Sequence, residues 1–134
     1  MFEIFTWKTA KFKRSTQPQI TLNSWQIKFN HEFVKLLEKE GLNWSSYISC
    51  FIDEKNYRLG FLFHDEHDME HKFKITRQNN TFSISAYSLN KKYPWINKIS
   101  KNPDIKKRRF KPKKEASFWF ITLDRDAYTN DTSN

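Results

Sequence analysis

The sequence predicts an α+β fold dominated by antiparallel β-sheet, and three observations carry that expectation. Short runs rich in Phe, Ile, Tyr and Trp alternate with polar residues at period two along most of the chain. Polar turn signals, among them Asp53-Glu54-Lys55-Asn56 and Gln78-Asn79-Asn80, separate those runs at hairpin spacing. Only one stretch, residues 31–40, combines helical spacing with capping signals at both ends.

In chain order, Phe2 to Arg14 alternates loosely and then turns basic, which reads as a strand with a solvated far end, closed by Pro18. Ile20 and Leu22, then Trp25, Ile27 and Phe29, alternate with polar residues around Asn23-Ser24 as in a β-hairpin. Asn30 is placed to cap the helix that follows, and Glu32 lies in its first turn, where negative charge suits the helix dipole. Phe33, Leu36 and Leu37 form its apolar stripe, flanked by Val34, and Gly41 stands where a left-handed cap belongs.

Tyr47 to Ile52 and Tyr57 to Phe63 read as a second hairpin. The polar loop HDEHDMEH then leads to a strand from Lys72 to Thr76, with Phe73 and Ile75 on one face, and to another from Thr81 to Tyr87. Pro94 opens a candidate second helix near 94–101, lined by Trp95, Ile96 and Ile99. Ser117 to Leu123 is apolar on both faces and reads as a central strand. The sum is seven or eight strands. Residues 1–123 are expected to form a single domain, and 124–134 a disordered polar tail.

Composition bounds function. The chain has 134 residues with 24 Lys and Arg against 15 Asp and Glu, a net charge of +9 that favours polyanionic partners. Its 17% aromatic content supplies a core and argues against a wholly disordered chain. No apolar run approaches the ~20 residues of a membrane span, and no secretory pattern opens the sequence, so a cytoplasmic protein of a bacterium or a phage-infected cell is expected. A lone cysteine, Cys50, fits a reducing compartment, and its apolar strand marks it as a core thiol.

The strongest functional signal runs from Lys101 to Lys114. Lys101, Lys106, Lys107, Arg108, Arg109, Lys111, Lys113 and Lys114 are opposed there only by Asp104. Phe110 interrupts the run and Pro112 forbids an unbroken helix, so a flexible or extended basic arm on backbone phosphates is expected. Lys8, Lys11, Lys13 and Arg14 form a second cluster, and Lys91 and Lys92 a third beside Tyr93 and Trp95. Phe110, Tyr93 and Trp95 are candidates for stacking on bases, although core packing is the commoner use of such a Trp.

Other chemistry is weakly signalled. His64, His67 and His71 could converge on a metal with neighbouring acids, but their spacing matches no familiar zinc pattern. No phosphate-cradling glycine loop, cofactor motif or nucleophile–base pair stands out, so an enzyme is not expected.

The segments ITLNSWQIKFN, HEFVKLLEKEG and YISCFIDEKNYRLGF run hairpin, helix, hairpin. That order resembles the half-barrel of the swapped-hairpin transition-state regulators of bacteria and the ββ-α-ββ cores of small phage-encoded DNA binders, and the resemblance implies a homodimer. The regulators usually carry a Gly-Arg turn and a helix-opening Pro, where this chain has Ser24-Trp25 and Asn30-His31. In size and composition the chain also resembles anti-CRISPR and other host-takeover proteins. The leading expectation is a non-enzymatic binder of DNA or RNA. The alternative is an inhibitor docked on a host protein or ribonucleoprotein.

Overall fold

The computed structural model describes residues 17–67 and 72–123. The expected opening strand, the basic cluster Lys8, Lys11, Lys13 and Arg14, the histidine His71 and the tail 124–134 lie outside the described residues.

The class is α+β, with two antiparallel five-stranded sheets and three short α-helices among the described residues. Strands β1 (Ile20–Leu22) and β2 (Gln26–Phe29) form the first hairpin, with Ile20 opposite Phe29. Helix α1 (His31–Lys39) follows directly. Asn30 Oδ1 accepts the Phe33 amide at 3.0 Å, and Gly41 closes the helix at φ +73° with its N–H on the Glu38 carbonyl.

Strands β3 (Tyr47–Asp53) and β4 (Arg58–His64) pair over their whole length. Next come β5 (Lys72–Lys74), β6 (Thr76–Gln78) and β7 (Thr81–Ser85). Asn79 and Asn80 both have positive φ, as a tight two-residue hairpin turn demands. Helices α2 (Tyr87–Lys92) and α3 (Pro94–Ser100) lead to a 3₁₀ turn, Ile105–Arg108. The chain then forms β8 (Arg109–Phe110), β9 (Lys113–Glu115) and β10 (Phe118–Thr122).

The first sheet has the order β6-β7-β2-β1-β8, and the second β5-β3-β4-β10-β9. In both, the outer strands are halves of two segments that cross between the sheets. Residues 72–78 bend at buried Ile75, and residues 109–115 bend at buried Pro112. Each segment therefore edges both sheets, and the pair close into a flattened barrel with bent strands at its corners. Closure of this kind shields strand edges that would otherwise invite aggregation.

Phe29, Phe33, Phe61, Ile20, Leu22 and Ile121 are fully buried between the sheets. Phe33 of α1 meets Phe29, Phe63 and Trp119 at centroid distances of 5.8, 6.1 and 5.1 Å, so the helix seats on both sheets at once. Strand β10 has neighbours on both sides, with Trp119 and Ile121 turned to the core and Phe118 and Phe120 half-buried on the outer face.

The structure departs from the sequence expectations in several places, each for a tertiary reason. Ten strands are present among the described residues, because the segment 72–78 is split at Ile75 into β5 and β6, and the basic run contributes β8, paired with distant β1, and β9, in a hairpin with β10. Tyr87 opens α2 rather than ending β7. The second helix ends at Ser100, with Lys101 as its cap.

Candidate nucleic-acid interface

The basic run is a built part of the barrel wall and not a free arm. Asp104 Oδ1 accepts the Lys106 amide at 3.0 Å and so caps the 3₁₀ turn. Arg109 then pairs with Thr21, Phe110 with Ile20, and Lys113 and Lys114 with Phe120 and Trp119.

Burial alternates through the run. Arg108, Phe110 and Pro112 turn inward, whereas Lys107, Arg109, Lys111 and Lys113 are exposed. In extended chain, alternate side chains stand roughly 6.6 Å apart, twice the rise per residue. The inward residues thus leave four cations outward, Lys107 at the end of the 3₁₀ turn, Arg109 and Lys111 along the extended stretch, and Lys113 beyond the bend at Pro112. None of the four, nor Lys101 or Lys106, has a carboxylate partner among the described residues.

Two members of the run do other work. Lys114 Nζ reaches Glu40 Oε1 at 2.9 Å, tying β9 to the end of α1. Arg108 donates to the Leu22 carbonyl at 3.3 Å and to Asn23 Oδ1, clasping the β1–β2 turn. Phe110 is half-buried and packs against the core. Trp95 is 7% exposed, with its ring edge-on to Tyr57, and Tyr93 also lies against the core. Of the three aromatics nearest in sequence to the charges, Trp95 is buried and Tyr93 and Phe110 are half-buried against the core.

The exposed stack lies elsewhere. Trp25, which the alternation groups with Ile27 and Phe29, is 73% exposed because it sits in the turn before β2, beyond the edge of the core. Its carbonyl accepts the Ala86 amide at 3.0 Å, bringing the next residue, Tyr87, alongside. The two rings are stacked with centroids 5.9 Å apart and planes within 4°. Lys91, one helical turn on, places Nζ 5.9 Å from the Tyr87 ring, and Lys92 lies over Tyr93 at 5.5 Å.

The turn carrying Trp25 is gripped twice. Buried Asn90 donates to the Asn23 and Ser24 carbonyls at 3.2 and 3.0 Å and accepts from Ser100 Oγ at 2.9 Å. Arg108 grips it from the basic run. One clasp therefore joins the cation row to the aromatic stack. Neither Trp25 nor Tyr87 was marked by charge clustering in the sequence, and only the exposed turn position of Trp25 could have hinted at its use.

Of the histidine loop, His64 and His67 lie among the described residues. The Glu66 amide donates to His64 Nδ1 at 3.1 Å, so Nε2 carries the proton and donates to Ser49 Oγ at 2.8 Å. Both ring nitrogens of His64 are thereby occupied, and Ser49 gains no base from this pair. His67 Nδ1 is 2.8 Å from Tyr47 Oη. No group of three metal-ligating side chains occurs among the described residues. Cys50 faces the core from β3, and burial pushes its thiol up to about 12, far from nucleophilic reactivity near neutrality.

On the opposite sheet, Phe51, Phe118 and Phe120 share the outer face around Gly60, with Phe51 51% exposed. The Arg58 guanidinium lies 5.2 Å from the Phe120 ring but is bound by Asp53 at 2.9 Å and Glu115 at 3.2 Å. Hydrogen bonds from Asn56 and Arg58 hold the Asp53 carboxyl below its ordinary range, so this cation stays matched to a carboxylate.

No helix among the described residues is long and apolar enough to cross a membrane. Comparison with known protein families, with curated proteins and with solved structures finds no match.

Proposed function

We propose that this protein binds nucleic acid without catalysing a reaction, using the cation row of residues 107–113 on backbone phosphates and the Trp25–Tyr87 stack beside it. The observation that carries this reading is the alternation along that segment. It leaves Lys107, Arg109, Lys111 and Lys113 solvent-facing and without carboxylate partners. Like charges held this close repel one another, and a phosphate chain relieves that repulsion while releasing its own counterions. Lys91 extends the positive surface to the stacked rings.

The test is a salt titration of oligonucleotide binding. Exchanging Lys107, Arg109, Lys111 and Lys113 for Gln should lower the slope of log affinity against log salt by about three to four, at roughly 0.7–0.9 per lost phosphate contact. A slope equal to that of the unaltered protein would remove the row from the interface.

A second reading, an inhibitor that docks on a host protein, draws support from the Phe51, Phe118 and Phe120 face. With Arg58 already neutralised, that face offers apolar contact and no free charge for phosphate, which suits an apolar protein surface. A host protein retained after complete nuclease digestion, and released by Phe51→Asp in a folded variant, is the expected result under this reading. Retention unaffected by Phe51→Asp would exclude that face.

A further inference from the structure

A second exposed tryptophan stands on a loop that is fastened at every side. Trp44 is 79% exposed, the largest such value among the described large apolar side chains. Its neighbours do not share that freedom. Arg77 donates to the Asn43 carbonyl at 3.0 Å and also to the Ser45 carbonyl, so one guanidinium spans the residue. The Ser45 amide bonds the Leu42 carbonyl at 3.1 Å, and the Ser46 amide bonds Asp65 Oδ1 at 2.7 Å. Arg77 is itself steadied over the Phe82 ring at 4.8 Å. The loop therefore presents a large aromatic surface at little further cost in conformational entropy, the hallmark of a preorganised contact.

Trp44 rims a hollow of about 300 Å³ between α1 and the β6–β7 turn. This hollow shares His31, Gln78, Asn79 and Asn80 with a wider one of about 820 Å³ that ends at Arg109. Both volumes suit small-ligand sites, which span ~300–1,000 Å³. The side-chain amides of Gln19, Gln78, Asn79 and Asn80 have no hydrogen-bond partner among the described residues, and they offer paired donors and acceptors to the groove. On its α1 side Glu32 meets Lys35 at 3.6 Å and Glu38 adds one carboxylate, so the local field is weakly negative and does not attract phosphate. A π surface, free amides and a weak local field suit the flat, hydrogen-bonding edge of a base better than a phosphate. The phosphate partner stands at the far end, where Arg109 belongs also to the cation row.

We infer that this groove takes an unpaired base of single-stranded nucleic acid, stacked on Trp44 and bonded at its edge by the Gln78–Asn80 amides, with the strand running on to Arg109. The inference rests on the nucleic-acid reading above and adds strandedness and a base-contacting site to it. A duplex hides the faces that Trp44 would stack on, so its binding depends on the cation row alone.

The experiment uses the full chain, a labelled twelve-nucleotide single strand of mixed sequence and a hairpin duplex of the same length. Trp44→Ala should weaken single-strand binding about 5- to 150-fold, the span of one lost base stack, with the salt slope unchanged. Duplex binding should be unaffected, and Trp44→Phe should restore most of the single-strand affinity. A second variant, Gln78→Ala, should alter the preference among homopolymeric strands without altering the slope. Equal single-strand affinity of Trp44→Ala and the unaltered protein would overturn the groove and leave the cation row standing. Failure of the unaltered protein to bind either nucleic acid at low salt would overturn both.

Discussion

Phe33→Ala should lower the unfolding free energy by about 3–5 kcal/mol, the usual cost of removing a buried aromatic ring. The side chain has no solvent exposure and is surrounded by Phe29, Phe63 and Trp119, which belong to both sheets. Helix α1 is held at both ends by the Asn30 and Gly41 caps, which limits how far it can shift to fill the space. The loss is a large share of the ~5–15 kcal/mol that holds an ordinary domain together. Urea denaturation with an unchanged m-value would measure it. Exposed Phe51 provides the contrast, since Phe51→Ser removes no core contact and should stay within about 0.5 kcal/mol of the unaltered protein. A similar small change for Phe33→Ala would mean that the helix is not seated on the two sheets.

That contrast also marks where the sequence was legible. Helix α1 was readable from residues 30–41 alone because its cap, its stripe and its terminating glycine are all local. The two hairpins flanking it, the turn at Asn79-Asn80 and the Pro94 helix start were readable for the same reason. The crossing segments were not. Strands β5, β6, β8 and β9 have two or three residues each, β5 and β8 take distant partners in β3 and β1, and each segment changes sheet midway, which no local pattern announces. In Lys107-Arg108-Arg109-Phe110-Lys111-Pro112-Lys113 the period-two alternation is present, but an inward arginine hides it behind the charge. The aromatic sites were obscured in the opposite sense. Trp25 and Trp44 look like core residues by type, and only the location of the turns that carry them turns them outward.

Arg108 and Arg109 are neighbours in sequence, and their substitutions should separate positioning from contact. Arg108→Leu removes the donor that serves the Leu22 carbonyl and Asn23 Oδ1 in a half-buried setting, and should cost about 2 kcal/mol of stability, in the ~1–3 kcal/mol range of a lost charge-assisted bond. It also frees the turn that carries Trp25, so the near-ultraviolet dichroism of the Trp25–Tyr87 stack should weaken. Arg109→Gln changes none of this, because the exposed Arg109 guanidinium holds nothing in place in the fold. Its expected signature is a salt slope reduced by about one, with the melting curve unmoved. The Arg108 variant should instead lose nucleic-acid affinity at every salt concentration, since a displaced stack is not screened by ions. If Arg108→Leu unfolded like the unaltered protein and moved only the slope, Arg108 would be one more phosphate ligand. The cation row and the aromatic stack would then be two independent surfaces with no clasp between them.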